Sequence, residues 1–285
     1  MEPTHLVDPD APRAPPQAVW DALSPEARAA IVASLPSEVP RATPPEGDAH
    51  FHSKRRAREA LDAWFRKMGR SVYLASELPV YYPDEPMFAP DLIAVLDVDT
   101  HERARWVVSD ERRGIDFALE VHVSGDARKD LEENVERFAR LGIAEYFVLE
   151  PLRRRLTGHR LPEPGALAYQ PILPQGGRWA SGVLGLDLAV EGGRLRFFAG
   201  TAPLLDATEL IARLSEMVDD AVRRAEAEAE RASEEARRAS EEARRASEEA
   251  RRASEEARRA SEEAHRAERL AAKLRELGVD PDSVE

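Results

Sequence analysis

The chain has 285 residues, a formal net charge of −13 and no cysteine. That length carries one sizeable domain with appendages, and the lack of cysteine excludes disulfides and thiolate metal sites and fits a reducing compartment. The negative charge argues against general binding of polyanions, though not against a local basic groove.

The N-terminal stretch Met1 to Pro16 has neither the basic start nor the apolar core of a secretory signal. No apolar run approaches the ~20 residues that span a bilayer. A soluble, cytoplasmic protein without membrane contacts is expected. Residues 1–16 are rich in Pro and charge and are expected to lack structure. They belong to an arm, residues 1–42, that also holds two short helices over 17–35. Ser24 as N-cap, with Pro25 at the first helical position, opens the second of these. Residues 36–49 are again Pro-rich and read as a linker, and His50 and His52 as loop residues.

The first strong helix is predicted from Ser53 to Met68. Ala57, Leu61, Trp64, Phe65 and Met68 share one face, and Gly69 ends it. Extended segments follow at 72–75 and 78–82, and Pro83 and Pro86 break the chain. A helix is predicted over 128–141 with Leu131, Val135 and Phe138 inward and Gly142 at its C-cap. Next comes a strand over 145–150, then several short strands with Gly-rich turns up to Phe198. Asp206 and Glu209 have the spacing of a capping box and open a long helix. From Arg231 to His265 the unit Arg-Ala-Ser-Glu-Glu-Ala-Arg repeats five times, the last copy ending in His. Its alanines fall at both seam positions of a heptad. Such a helix either pairs with a second copy or stands as a solvated rod held by i,i+4 ion pairs. The resulting division is an arm over 1–42, a domain over 43–203, a helix or coiled coil over 204–277 and a tail over 278–285.

Two apolar runs carry the candidate chemistry. Ala89 to Val95 contains Asp91, and Phe117 to Val123 contains Glu120. Buried strands seldom spend a position on a carboxylate without a partner. Two adjacent strands with one acid each suggest a shared hard cation, Mg²⁺ or Mn²⁺, with Asp91 and Glu120 as its ligands. Such an ion activates water and stabilises charge on a phosphoryl group. His122 falls on the same strand face as Glu120, and an imidazole there can serve as a general base.

The order helix, hairpin, strand with Pro90-Asp91, strand with Glu120-Val121-His122, helix, strand resembles the PD-(D/E)XK nuclease superfamily. Within it, the chain is most similar to the Uma-type restriction endonuclease family. Further residues that carry the likeness are Gly125 to Leu131, Arg137 to Phe147, the upstream Glu46 to His50, and the closing Ala267 to Leu270. The resemblance implies an α/β, restriction-endonuclease-like core, a central mixed sheet flanked by helices, here extended by a long C-terminal helix of Ala-rich heptads. It also implies a metal-dependent endonuclease acting on DNA. Asp91 and Glu120 would hold the ion, with Glu46 as a further ligand or outer contact. The superfamily pattern places Lys two residues after the Glu, where this chain has His122. In Uma-type relatives a Lys stands in the following helix at the position of Asn134. Lys129 is the nearby substitute, although on an ideal helix it faces away from Leu131. The competing reading is a degenerate nuclease fold that serves as a binding or assembly module through its coiled-coil tail.

Overall fold

A computed structural model describes residues 7–38, 47–125 and 127–277. It divides into two units, residues 1–211 and 212–285. The fold is mixed α/β, as the sequence predicts. In chain order the described elements are α1 (Gln17–Asp21), α2 (Pro25–Ser34), α3 (Asp48–Met68), β1 (Val72–Ala75), β2 (Val80–Tyr81), β3 (Leu92–Leu96), β4 (Trp106–Val107), α4 (Val108–Glu111) and β5 (Phe117–Val121). A π-helical turn (Lys129–Glu133) leads into α5 (Asn134–Arg140). There follow β6 (Glu145–Glu150), β7 (Arg155–Arg160), β8 (Gln170–Pro171), β9 (Trp179–Ser181), β10 (Leu186–Glu191), β11 (Arg194–Ala199), β12 (Ala202–Pro203) and α6 (Ala207–Glu276).

The central sheet has the order β1-β3-β5-β6-β7-β8. Only the β5–β6 pair is parallel, and α5 forms its crossover, as a parallel pair requires. Apolar residues on both faces of the sheet make two cores. On one face α3 lays Ala57, Leu61 and Phe65 over Leu92, Phe117, Leu119 and Phe147, and the β12-β11-β10-β9 sheet adds Leu188 and Phe197. On the other, Phe138 and Ile143 pack with Ile93, Val95, Ala118, Tyr146 and Val148. Alternation along each strand assigns residues to these faces, so β5 puts Leu119 and Val121 on the α3 side and Ala118 on the α5 side.

Several caps follow from local chemistry. The Ser24 hydroxyl accepts from the Ala27 N–H at 3.2 Å, with Pro25 at the first helical position. Gly69 closes α3 in the left-handed conformation at φ 65°, which is costly for residues with a Cβ. Asp206 and Glu209 each accept the other's backbone N–H, at 2.9 and 3.0 Å, at the start of α6.

The N-terminal part of the chain departs from the sequence reading in three places. Within the Pro-rich arm, expected to lack structure up to residue 16, residues 12–14 lie along residues 83–87: Ala14 C=O accepts from Asp84 N–H at 3.1 Å and Pro12 C=O from Met87 N–H at 3.3 Å. Ala14, Trp20, Leu23, Ile31 and Leu35 form a small core with Tyr81 and Val107. Backbone hydrogen bonds and a few apolar anchors fix this segment, which composition alone does not register. Met68, expected on the buried face, is exposed at the last position of α3. Helix α3 also starts at Asp48, one and a half turns before the predicted Ser53, so His50 and His52 are helical rather than in a loop.

Gly158 on β7 stands opposite Phe147. A Cβ there would lie 2.5 Å from Phe147 Cε1, and that ring is packed against Phe117. Gly158→Ala is expected to destabilise the protein by about 1–3 kcal/mol through overpacking, read as a lower midpoint in thermal or urea unfolding. An unchanged midpoint would show that the ring moves freely.

Candidate active site

The site lies where β3 begins and β5 ends. Ile93 pairs with Ala118 and Leu92 with Leu119, and one further step in this register sets Asp91 opposite Glu120. The two carboxylates clip the strands together. Asp91 Oδ2 accepts from Val121 N–H at 2.7 Å, and Glu120 Oε2 accepts from Asp91 N–H at 3.3 Å. Pro90 has no N–H and favours extended backbone before the strand, which brings Asp91 to its edge. Both acids are buried, Asp91 at 8% exposure and Glu120 at 7%.

Helix α3 delivers His50 and Lys54 to Asp91. His50 Nε2 lies 2.9 Å from Asp91 Oδ2, and Lys54 Nζ lies 3.8 Å from Oδ1. Lys54 is 4% exposed, and its ammonium also donates to Glu77 Oε1 at 2.6 Å. A lysine is almost never this buried without partners. Sequence reasoning missed both residues. The signal was present: His50, Lys54, Ala57 and Leu61 fall at i, i+4, i+7 and i+11, so the buried stripe of α3 continues backwards into a lysine.

The opposite side comes from the segment after β5. Asn134 is 5% exposed, and its Nδ2 makes long contacts to Glu120 Oε1 at 3.4 Å and Asp130 Oδ1 at 3.5 Å. The predicted α-helix over 128–141 is instead a π turn over Lys129–Glu133 followed by α5. The Asn134 N–H reaches back to Lys129 C=O, five residues rather than four. Such a turn shifts the phase of every later side chain and carries Asn134 inward. His122 Nδ1 lies 3.2 Å from Asp130 Oδ2, and Tyr146 Oη donates to Asp130 C=O at 2.8 Å. Lys129 is exposed, although its charge still acts on Glu120. Glu46 lies outside the described residues.

The electrostatics of the two acids differ in sign. For Asp91, burial raises the pKa, but the His50 hydrogen bond and charge, the Val121 N–H and Lys54 together outweigh it and hold the carboxyl below its ordinary range. For Glu120, burial and then the negative charges of Asp91 and Asp130 push the pKa well up, and Lys129 offsets only part of this. Tyr146 is also raised, by burial and by Glu120 and Asp130. The result is a concentration of negative charge that a cation would relieve.

Among the described residues no group of three or more His, Asp or Glu side chains is arranged to ligate one ion. Mg²⁺ does not require one, since it keeps several waters and is held by one or two carboxylates. Asp91 and Glu120 therefore fit that donor set. The basic run Arg153 to Arg155 is partly paired within its own segment: Arg153 and Arg155 lie 2.8 and 3.6 Å from Glu150. Among the described residues no helix is long and apolar enough to cross a membrane.

Comparison with known proteins identifies the family. The profile of the Uma2 family, described as "Putative restriction endonuclease", matches residues 29–191, more than half of the chain. Among solved structures, the chain is similar to a crystal structure described as a "putative nuclease belonging to DUF820 from Anabaena variabilis ATCC 29413". The identity is 10% and the TM-score 0.42, over 55% of this chain and 85% of that one. No curated protein matches the chain in sequence. The chain belongs to the Uma2 family, the "Putative restriction endonuclease" family.

Proposed function

We propose that this chain is an endonuclease that hydrolyses DNA phosphodiester bonds with a divalent cation, Mg²⁺ or Mn²⁺, held by Asp91 and Glu120. The observation that carries the reading is the pair of buried carboxylates on adjacent strands with the buried Lys54 ammonium 3.8 Å from one of them. When bound, the ion supplies an acidified water and a positive charge at the phosphoryl oxygens.

The side chains divide the remaining work. Asp91 stays ionised because His50, Val121 N–H and Lys54 surround it, so it is a ligand at any physiological pH. Lys54 brings a fixed charge from outside the β5 strand, which fills the role left open by His122 and Asn134 in the family pattern. Asp130 faces Nδ1 of His122, which leaves Nε2 to accept a proton from water. Asn134 orients Glu120 by an uncharged contact. Without the cation, Asp91, Glu120 and Asp130 repel phosphate, so productive DNA binding requires the ion.

The test is conversion of supercoiled plasmid to nicked and linear forms in Mg²⁺ or Mn²⁺, by wild type and by Asp91→Ala. Cleavage by wild type that Asp91→Ala abolishes supports the reading. Absence of cleavage across plasmids of varied sequence, in either ion, overturns it and favours the binding-module alternative, to which the overall charge of −13 points. In the same assay His122→Ala is expected to slow cleavage by about 100-fold, the low end for loss of a general base, with a changed pH profile. A rate and profile equal to wild type would remove His122 from the chemistry.

A further inference from the structure

Helix α6 runs from Ala207 to Glu276 with no buried residue. Its first turns expose Leu210, Ile211, Leu214, Met217, Val218 and Val222, its last turns expose Leu270, and Leu277 is exposed just after its end. So many large apolar side chains within a few turns are unusual on a free surface. A solitary rod held by ion pairs such as Arg244–Glu248 and Arg251–Glu255 has no use for them.

Three of these residues, Ile211, Val218 and Val222, share one register with the alanine repeats. Counting by sevens from Ile211 gives Val218, Ala225, Ala232 and so on without a skip to Ala267 and Leu274. Counting from Val222 gives Ala229, Ala236 and so on to Ala271. The two series alternate at spacings of four and three, which makes them the a and d positions of one heptad seam. The seam extends roughly 95 Å at ~1.5 Å per residue. Ile211, Val218 and Val222 occupy its start with Ser215 among them, Leu274 stands at its end, and Ala fills the positions between.

The flanking positions fix direction. On the a side the g positions are Glu228, Glu235, Glu242, Glu249, Glu256 and Glu263, and the e positions of the repeats are serines from Ser233 to Ser261. In a parallel pair each g residue meets the partner's e residue of the next heptad. Glu then faces Ser along the repeats, and the one like-charge meeting is Glu263 with Glu268. In an antiparallel pair g faces g, and Glu opposes Glu along the repeats. Like charges placed this way select against that orientation.

We infer that α6 pairs with α6 of a second copy of this chain as a parallel, in-register, two-stranded coiled coil. The occupant of the exposed apolar stripe is thus the same stripe on another chain. The ends supply most of the burial, and the alanine stretch supplies register and close approach.

The test uses the full chain, and the absence of native cysteine makes it clean. Light scattering after size exclusion is expected to give twice 31.7 kDa. Ala239→Cys and Ala260→Cys, each alone, are both expected to form a disulfide between copies under mild oxidation, whereas Arg238→Cys on the outer face does not. Val218→Asp combined with Val222→Asp is expected to return the mass to 31.7 kDa while the α/β unit keeps its unfolding midpoint. A monomeric wild-type mass overturns the inference. So does cross-linking only when Ala239→Cys and a second, distant cysteine variant are mixed, which is the antiparallel result. None of these readouts depends on cleavage, so they separate from the nuclease proposal.

Discussion

Lys54→Met is expected to reduce plasmid cleavage by about 10²–10³-fold, the usual loss when a fixed charge or donor aimed at developing negative charge is removed. Methionine nearly matches the length and volume of the lysine stem, so the change deletes the ammonium and little else. The structural cost should be moderate. Glu77 is the closer partner at 2.6 Å, and its side chain is 56% exposed, so water can replace the lost contact. Asp91 is buried but keeps His50 and the Val121 N–H. The destabilisation should therefore fall below the 3–5 kcal/mol typical of breaking a fully buried pair. Far-UV circular dichroism and the unfolding midpoint separate loss of folding from loss of chemistry. Lys129→Met is the matched control and should cleave at close to the wild-type rate, since Lys129 is exposed. Reversal of the two, with Lys129→Met inactive and Lys54→Met active, would sink the assignment of the positive charge to Lys54.

Glu120→Gln is expected to do two opposite things. It should abolish cleavage, by about 10³-fold or more, because a ligand that brings several kcal/mol of charge stabilisation is lost. It should also make the metal-free protein more stable at pH 7. The sign follows from linkage. Burial, Asp91 and Asp130 raise the folded pKa of Glu120 above 4.5, so between these values the folded chain holds a proton that the unfolded chain releases. The folded state is favoured below pH ~4.5, and this advantage is lost as pH rises toward the folded value. Glutamine cannot ionise and escapes the loss. A gain of about 1–2 kcal/mol lies in the range of single stabilising changes. The gain should shrink as pH falls toward 4.5 or as Mg²⁺ is added to wild type. A Glu120→Gln protein less stable than wild type at pH 7 without metal would show that the Glu120 charge is compensated in the folded chain.

The sequence discloses some of this site and hides the rest for identifiable reasons. Asp91 and Glu120 stand out because a carboxylate in an apolar strand violates the expected pattern. The helix after β5 and the long heptad helix follow from periodicity, the Ser24 and Asp206 caps from local chemistry, and the mixed sheet from the family resemblance. His50 was hidden by a helix start placed too late, at Ser53 instead of Asp48. Lys54 lay inside the predicted helix, but a lysine reads as an exposed residue until the stripe of Ala57 and Leu61 is followed back through it to His50. The π turn at Lys129–Glu133 has no compositional mark, and an ideal helical wheel cannot anticipate how far it carries Asn134 inward. The order in residues 12–16 rests on backbone hydrogen bonds to residues 84 and 87, which leave no trace in side-chain pattern.

The central claim is that Asp91 and Glu120 together bind one divalent cation. Isothermal titration of Mn²⁺ and Mg²⁺ into wild type and Glu120→Gln tests it most directly, free of any choice of DNA sequence. Saturable binding to wild type in the micromolar to millimolar range, lost in Glu120→Gln, is the expected result. No saturable binding to wild type, or equal binding to both proteins, would contradict it.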